Sequence, residues 1–424
     1  MHRCYGVHLK VAMPNKMNTQ LLASMYLDWC SAGGHRGWNR RLRRVVTVIT
    51  ITCLFIITVI VLSCYDRRRL PIAPELRPEP LEEDGWYRSE FFRWRTLSLF
   101  KPISQTFSGS STEELCRSFP NHLTQHKIQP VLKIGHTEDR DRVDAQLTSV
   151  SACIKDLLIF SDLDETIHGR HVIDVLQELP AAYYYDNPHL VNYTYLRKLG
   201  PPPSDDFVAA TVDSLTINGW ELDKYKFLPM VERAWTMRPN REWYFFYESD
   251  TYVVWDNLFR FLQNLDHDTP LYIGSPSPGR RQDPDDPLTT NYFANGGPGF
   301  ALSRSAVLKL LDRKVGKDGD YLQAPLTHRW LDLMKSDPCG DSILGWALHS
   351  VGIRLSGFWP LFNPHALHAI PFSQFYWCQP VLTLHKTKPE DMGKLWRWEQ
   401  SRRVADVSED NYILAYVLEL ICNA

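Results

Sequence analysis

The chain has 424 residues, about two or three domain lengths by the usual prior, with 44% hydrophobic, 23% charged and 12% aromatic residues. That mix excludes wholesale disorder and a collagen-like or coiled-coil fibre. With 47 basic against 49 acidic residues, the net charge of -2 supplies no global cationic field, so no nucleic-acid partner is expected.

In chain order, residues 1–44 are basic, lack an apolar period and read as a cytosolic tail. Residues 45–64 (VVTVITITCLFIITVIVLSC) carry no charge. At ~1.5 Å per helical residue they cover about 30 Å, the thickness of a bilayer core, so a transmembrane signal anchor in a lipid bilayer is expected. A cleavable signal peptide is a poorer reading, because a long basic segment precedes the run and Arg67-Arg68-Arg69 follows it. Basic residues are denser before the run (Arg36, Arg40, Arg41, Arg43, Arg44) than after it, which favours a cytosolic N-terminus and a lumenal remainder. Residues 65–111, with Pro71, Pro74, Pro78, Pro80 and Pro102 among charges, read as a Pro-rich lumenal stem. Beyond it lie Cys116, Cys153, Cys339, Cys378 and Cys422, an odd set that fixes no disulfide pairing. Asn192-Tyr193-Thr194 is a glycosylation sequon.

Residues 112–424 read as one α/β domain. Short apolar runs predict strands over 130–134, 156–160, 243–247, 270–273, 300–302 and 380–384. Helical stretches are expected over 140–153, 220–237, 258–265, 303–311 and 342–351. Strands alternating with helices imply a mixed, mostly parallel sheet flanked by helices, with the chemistry in loops beyond the strands' carboxyl ends.

Four motifs fall in such loops. The aromatic run 243–247 ends in Glu248-Ser249-Asp250, whose hard carboxylate oxygens suit Mn²⁺ or Mg²⁺ and leave positions open for a diphosphate. Gly296-Gly297-Pro298-Gly299 permits close main-chain approach to a ligand, and Ser303 is placed to cap the next helix. Asp341 stands at the start of a helical run, where an N-cap is the plainer reading. His385 ends a strand, where most histidines are structural.

In this order the four together resemble the family 31 glycosyltransferases, the β-1,3-glycosyltransferases of the Fringe and core-1 galactosyltransferase type, and look closest to their fungal membrane-anchored relatives. The resemblance covers roughly residues 130–388 and implies a GT-A-type, Rossmann-like α/β fold. It puts the metal ligands at Asp250 and His385, with Glu248 joining directly or through water, and the catalytic base at Asp341. Ser249, Asp162, Gly296, Gly297, His136 and Arg140 fall where substrate is bound. Implied with them are a UDP-sugar donor, a glycan or glycoprotein acceptor and a Golgi location as a type II membrane protein, with the endoplasmic reticulum as the second choice. A homodimer stays open. Relative to the family pattern, Ser249 replaces an acid and Glu248 lengthens one, which keeps a non-catalytic glycan-binding protein in view. A competing motif is Asp162-Leu163-Asp164 after the apolar run 156–160, which resembles the nucleophile segment of haloacid-dehalogenase-type phosphatases.

Overall fold

The structure is a computed structural model and describes residues 111–199, 219–370 and 381–404. The expected tail and anchor, and all of the stem but residue 111, lie outside the described residues. Among those described, no helix is long and apolar enough to cross a membrane.

An eight-stranded sheet organises the domain, in the order β11-β7-β10-β5-β1-β2-β4-β3. Its strands are β1 (Ile128–Lys133), β2 (Leu158–Ser161), β3 (Glu165–Ile167), β4 (Arg170–Asp174), β5 (Trp243–Glu248), β7 (Tyr272–Gly274), β10 (Phe300–Ser303) and β11 (Leu355–Gly357). β11, β7, β5, β1, β2 and β4 share one direction, while β10 and β3 run against them. This mixed, mostly parallel sheet fits the expected GT-A-like architecture. A small second sheet orders β12 (Phe362–Asn363), β13 (Thr383–Leu384) and β6 (Tyr252–Val253), and β8 (Pro276–Arg281) pairs with β9 (Thr290–Ala294) as a ribbon.

Burial on both faces explains the unbroken aromatic run of β5. Trp243, Phe245 and Tyr247 enter one core with Ile128 and Leu132 of β1; Tyr244 and Phe246 enter the other with Val131. Successive side chains of a strand point to opposite faces, so a strand covered on both sides needs apolar residues throughout. The first core is roofed by α1 (Arg140–Ala145), α3 (Trp255–Gln263) and α6 (Pro389–Val404). Over the second lie α2 (Phe227–Met237), α4 (Arg304–Leu311) and α5 (Gly340–Ser350). Ser303 caps α4 as expected, accepting from the Ala306 main-chain N–H.

Two expected helices are divided. The stretch 220–237 breaks into Gly219–Asp223 and α2. Pro229 has no N–H to give the Tyr225 carbonyl and its ring crowds that group, so one helix cannot run through. The stretch 140–153 becomes α1 followed by a π-helical turn, Gln146–Val150. Cys116 and Cys153 form a disulfide, and Cys339 is also disulfide-bonded.

Candidate active site

The site opens where β1 and β5 end side by side. Parallel register pairs Lys133 with Glu248, the last residue of each strand, and both point to the face covered by α2. The chain then turns through Ser249 and Asp250, the Thr251 N–H returning to the Glu248 carbonyl at 3.0 Å. At 252–253 it enters the small sheet, where Leu384 of β13 pairs with Tyr252. That antiparallel pairing carries the next residue, His385, back to the turn, and the Thr387 N–H fastens it by donating to the Asp250 carbonyl at 2.9 Å.

Glu248, Asp250 and His385 can each offer one ligand atom such that all lie within 4.8 Å of one another, the cluster of this kind found among the described residues. His385 Nε2 is 3.4 Å from Asp250 Oδ1 and 4.0 Å from Glu248 Oε2. Asp250 Oδ1 is buried without a hydrogen-bond partner, although buried polar atoms are nearly always satisfied. An orphaned carboxylate oxygen facing an imidazole nitrogen is what a cation site leaves behind, and an O,O,N set fits a divalent ion such as Mn²⁺. Burial would raise the Asp250 carboxyl, but His385, Arg142 and Lys133 outweigh it and hold it below the ordinary range. Glu248 goes the other way: burial pushes it up, Lys133 opposes, and Asp223 and Asp250 add to the rise.

Across this cluster lies the glycine turn. Gly299 closes it with φ +82, a left-handed conformation that side chains resist, and the Gly299 N–H bonds the Gly296 carbonyl at 2.9 Å. Gly297 lies against the His385 ring so closely that an added Cβ would fall 2.1 Å from it. The Gly296 N–H donates to Asp341 Oδ2 at 3.0 Å, and the Ser342 N–H to Asp341 Oδ1 at 2.9 Å. The α5 N-cap is Cys339, so Asp341 lies in the first turn of α5 and is not the capping residue that its position suggested. Burial pushes its carboxyl up to about 6 against those two hydrogen bonds.

The remaining expected residues form a continuous polar line along the strand ends. Asp162 Oδ1 accepts from the His136 N–H at 2.7 Å, and Lys226 Nζ stands 3.5 Å from Oδ2. His136 Nδ1 meets Glu165 at 3.2 Å, and Arg140 reaches the same carboxylate at 2.7 Å. Burial would raise Asp162, but Lys226 and the His136 N–H hold it low. Arg140 keeps an open side chain. Ser249, Asp162 and His136, expected near substrate, are 1%, 3% and 5% exposed, and Ser249 donates its hydroxyl to Glu138. Lys133, Asp223, Lys226, Glu138 and Arg142 were not foreseen from the sequence. Only the polar residues that end β1, end the first segment of the broken helix and precede its second could have marked the first three.

The phosphatase motif is not assembled. Asp164 is 55% exposed and pairs with His171 at 2.8 Å, while Asp162 is buried on Lys226 and His136, so the two acids do not share a cation site. β3 follows immediately and supplies no loop around them.

Residues 223–350 match the Fringe-like family model, a span that includes Glu248, Asp250, the glycine turn and Asp341. The chain is similar to the β-1,3-N-acetylglucosaminyltransferase lunatic fringe of Gallus gallus, 28% identical over 146 residues, covering 32% of this chain and 37% of that protein. Lunatic fringe of Danio rerio is 34% identical over 133 residues, covering 30% and 33%. The glycoprotein-N-acetylgalactosamine 3-beta-galactosyltransferase 1 of Xenopus laevis is 34% identical over 71 residues, covering 17% and 18%. The chain thus spans about a third or less of the length of these relatives.

Proposed function

We propose that the chain, similar over residues 223–350 to the Fringe-like model, moves a hexose or N-acetylhexosamine from a UDP-sugar to a glycan or glycoprotein hydroxyl, inverting the anomeric carbon and forming a β-1,3 linkage. One observation carries the reading: Glu248, Asp250 and His385 converge within ligand distance, and Asp341 is held across the glycine turn from them.

Asp250 and His385, with Glu248 beside them, are the residues that would hold a divalent ion, Mn²⁺ or Mg²⁺. When bound, such an ion offsets the charge that builds on a departing diphosphate. Asp341 takes the proton of the acceptor hydroxyl as that oxygen bonds to the anomeric carbon. The bond from that carbon to the diphosphate oxygen breaks, its electron pair leaving with UDP. A carboxyl with a pKa of about 6 is mostly ionised at neutral pH yet remains more basic than an ordinary aspartate, which suits a general base. Single displacement needs this one carboxylate, whereas glycosidases usually need two. The two Gly296 and Ser342 N–H groups aim the carboxylate.

The cystine Cys116–Cys153 and the bonded Cys339 support an oxidising compartment. With the apolar segment 45–64 as anchor, the reading is a type II protein of the Golgi membrane, its catalytic domain lumenal. The test is incubation of the full chain with a panel of UDP-sugars, a mixed glycan acceptor and Mn²⁺, scoring free UDP. Acceptor-dependent UDP release is expected with one donor. Retention of glycans with no UDP released from any donor would replace the transferase by a glycan-binding protein.

A further inference from the structure

Resting on the metal reading above, we propose that Lys133 is a positioning residue: it occupies Glu248 and so sets how weakly the site holds a divalent ion before nucleotide binds. The pairing is written into the sheet, since parallel register sets Lys133 beside Glu248 at the ends of β1 and β5. Lys133 Nζ lies 3.0 Å from Glu248 Oε1 and 2.6 Å from Asp223 Oδ1. It also lies over the Phe227 ring at 4.6 Å and is only 6% exposed. An ammonium has three N–H donors, and contacts to two carboxylates commit them. The side chain is therefore not free to swing out and receive a phosphate.

The two acids of the triplet are thereby made unequal. Asp250 Oδ1 faces His385 Nε2 at 3.4 Å with no hydrogen-bond partner, whereas Glu248 Oε1 already holds the Lys133 ammonium and Oε2 stands 4.0 Å from His385 Nε2. A fixed positive charge beside a cation site repels the cation, and the repulsion is strong where water is largely excluded. A nucleotide diphosphate brings the negative charge that offsets it. Ion and nucleotide then bind together more tightly than either binds alone, a reciprocal coupling.

Free Mn²⁺ measured by electron paramagnetic resonance with the full chain, with and without UDP, reads this directly and needs no turnover. Lys133→Met is expected to tighten nucleotide-free Mn²⁺ binding by about threefold or more and to shrink the gain that UDP brings. Unchanged or weaker binding in that variant overturns the proposal. Since Lys133→Met strands two carboxylates and can fail to fold, Glu248→Gln is the companion variant, leaving Lys133 its Asp223 partner. It should lose less than about threefold in nucleotide-free affinity, against about tenfold or more for Asp250→Asn. A larger loss in Glu248→Gln overturns the role given to Lys133 while leaving the metal site standing. If Asp250→Asn itself binds Mn²⁺ unchanged, the metal assignment fails, and this inference falls with it.

Discussion

Asp341 receives two main-chain N–H bonds, from Gly296 and Ser342, and still has a raised carboxyl because the pocket is desolvated. Replacing it with Asn removes the base and keeps the side chain's size, with one acceptor left for the two N–H groups, so transfer should fall by about 10²–10⁴ while UDP binding survives. Calorimetric titration with UDP and Mn²⁺ alongside the transfer assay separates the two, and an active Asn variant would exclude Asp341 as base. The same shift gives a pH profile. Below about 6 the carboxyl is protonated and cannot accept the acceptor's proton, so kcat/KM should drop roughly tenfold per pH unit on the acid side and level off above. Stability runs oppositely. The folded state keeps a proton that the unfolded chain releases at its ordinary carboxyl pKa of 3.8, so Asp341 destabilises the fold increasingly as pH rises to about 6. Asp341→Asn should accordingly raise the Tm at pH 7.5, by less than removal of the buried charge alone would, because the amide accepts only one of the two N–H bonds. A lower Tm would mean that the carboxylate is structurally needed. At this scale the sequence named the acid through its place before a helical run; the desolvation that tunes it comes from residues brought in by the fold.

Among the elements, the glycine turn and the small sheet decide the geometry. A Cβ at Gly297 would lie 2.1–2.5 Å from three atoms of the His385 ring, so Gly297→Ala must push that imidazole off Asp250. Metal-dependent UDP affinity should fall by about tenfold or more, as when a partner that orients a ligand is lost. Equal affinity in the two proteins would show that His385 does not hold the ion. The glycines were legible because few other residues explain three in four positions. The sheet that delivers His385 was not, since β6, β12 and β13 have two residues each and carry no period to read. The ribbon of β8 and β9 escaped notice for a related reason: Pro276, Pro278 and Gly279 resemble loop residues, yet a ribbon outside the main sheet tolerates them.

Across the described domain, Cys116–Cys153 ties the segment before β1 to the turn that follows the π-helical segment, closing a sequence separation of 37. Removing it by Cys116→Ser should cost about 3–4 kcal/mol of unfolding free energy on the loop-entropy model, measured by denaturant titration of the full chain. A loss well under ~1 kcal/mol would mean that packing of Phe119 and Leu123 already fixes that segment. The rival phosphatase motif is also tested at this scale. Asp164→Asn removes a surface pair with His171 and should leave transfer within about twofold, since exposed pairs contribute little.

The sequence by itself determined the α/β alternation, the aromatic strand, and the order of an acidic triplet, a glycine turn, an acid and a histidine. These are properties of neighbours along the chain, and period, composition and spacing record them. Tertiary structure alone decided that Asp162 is buried against Lys226 and the His136 N–H, that Ser249 faces inward, and that Lys133 occupies one arm of Glu248. It also brought His385 to Asp250. The reason is that burial, register and ion pairing depend on which strands lie side by side, and that pairing joins residues whose separation along the chain leaves no periodic trace.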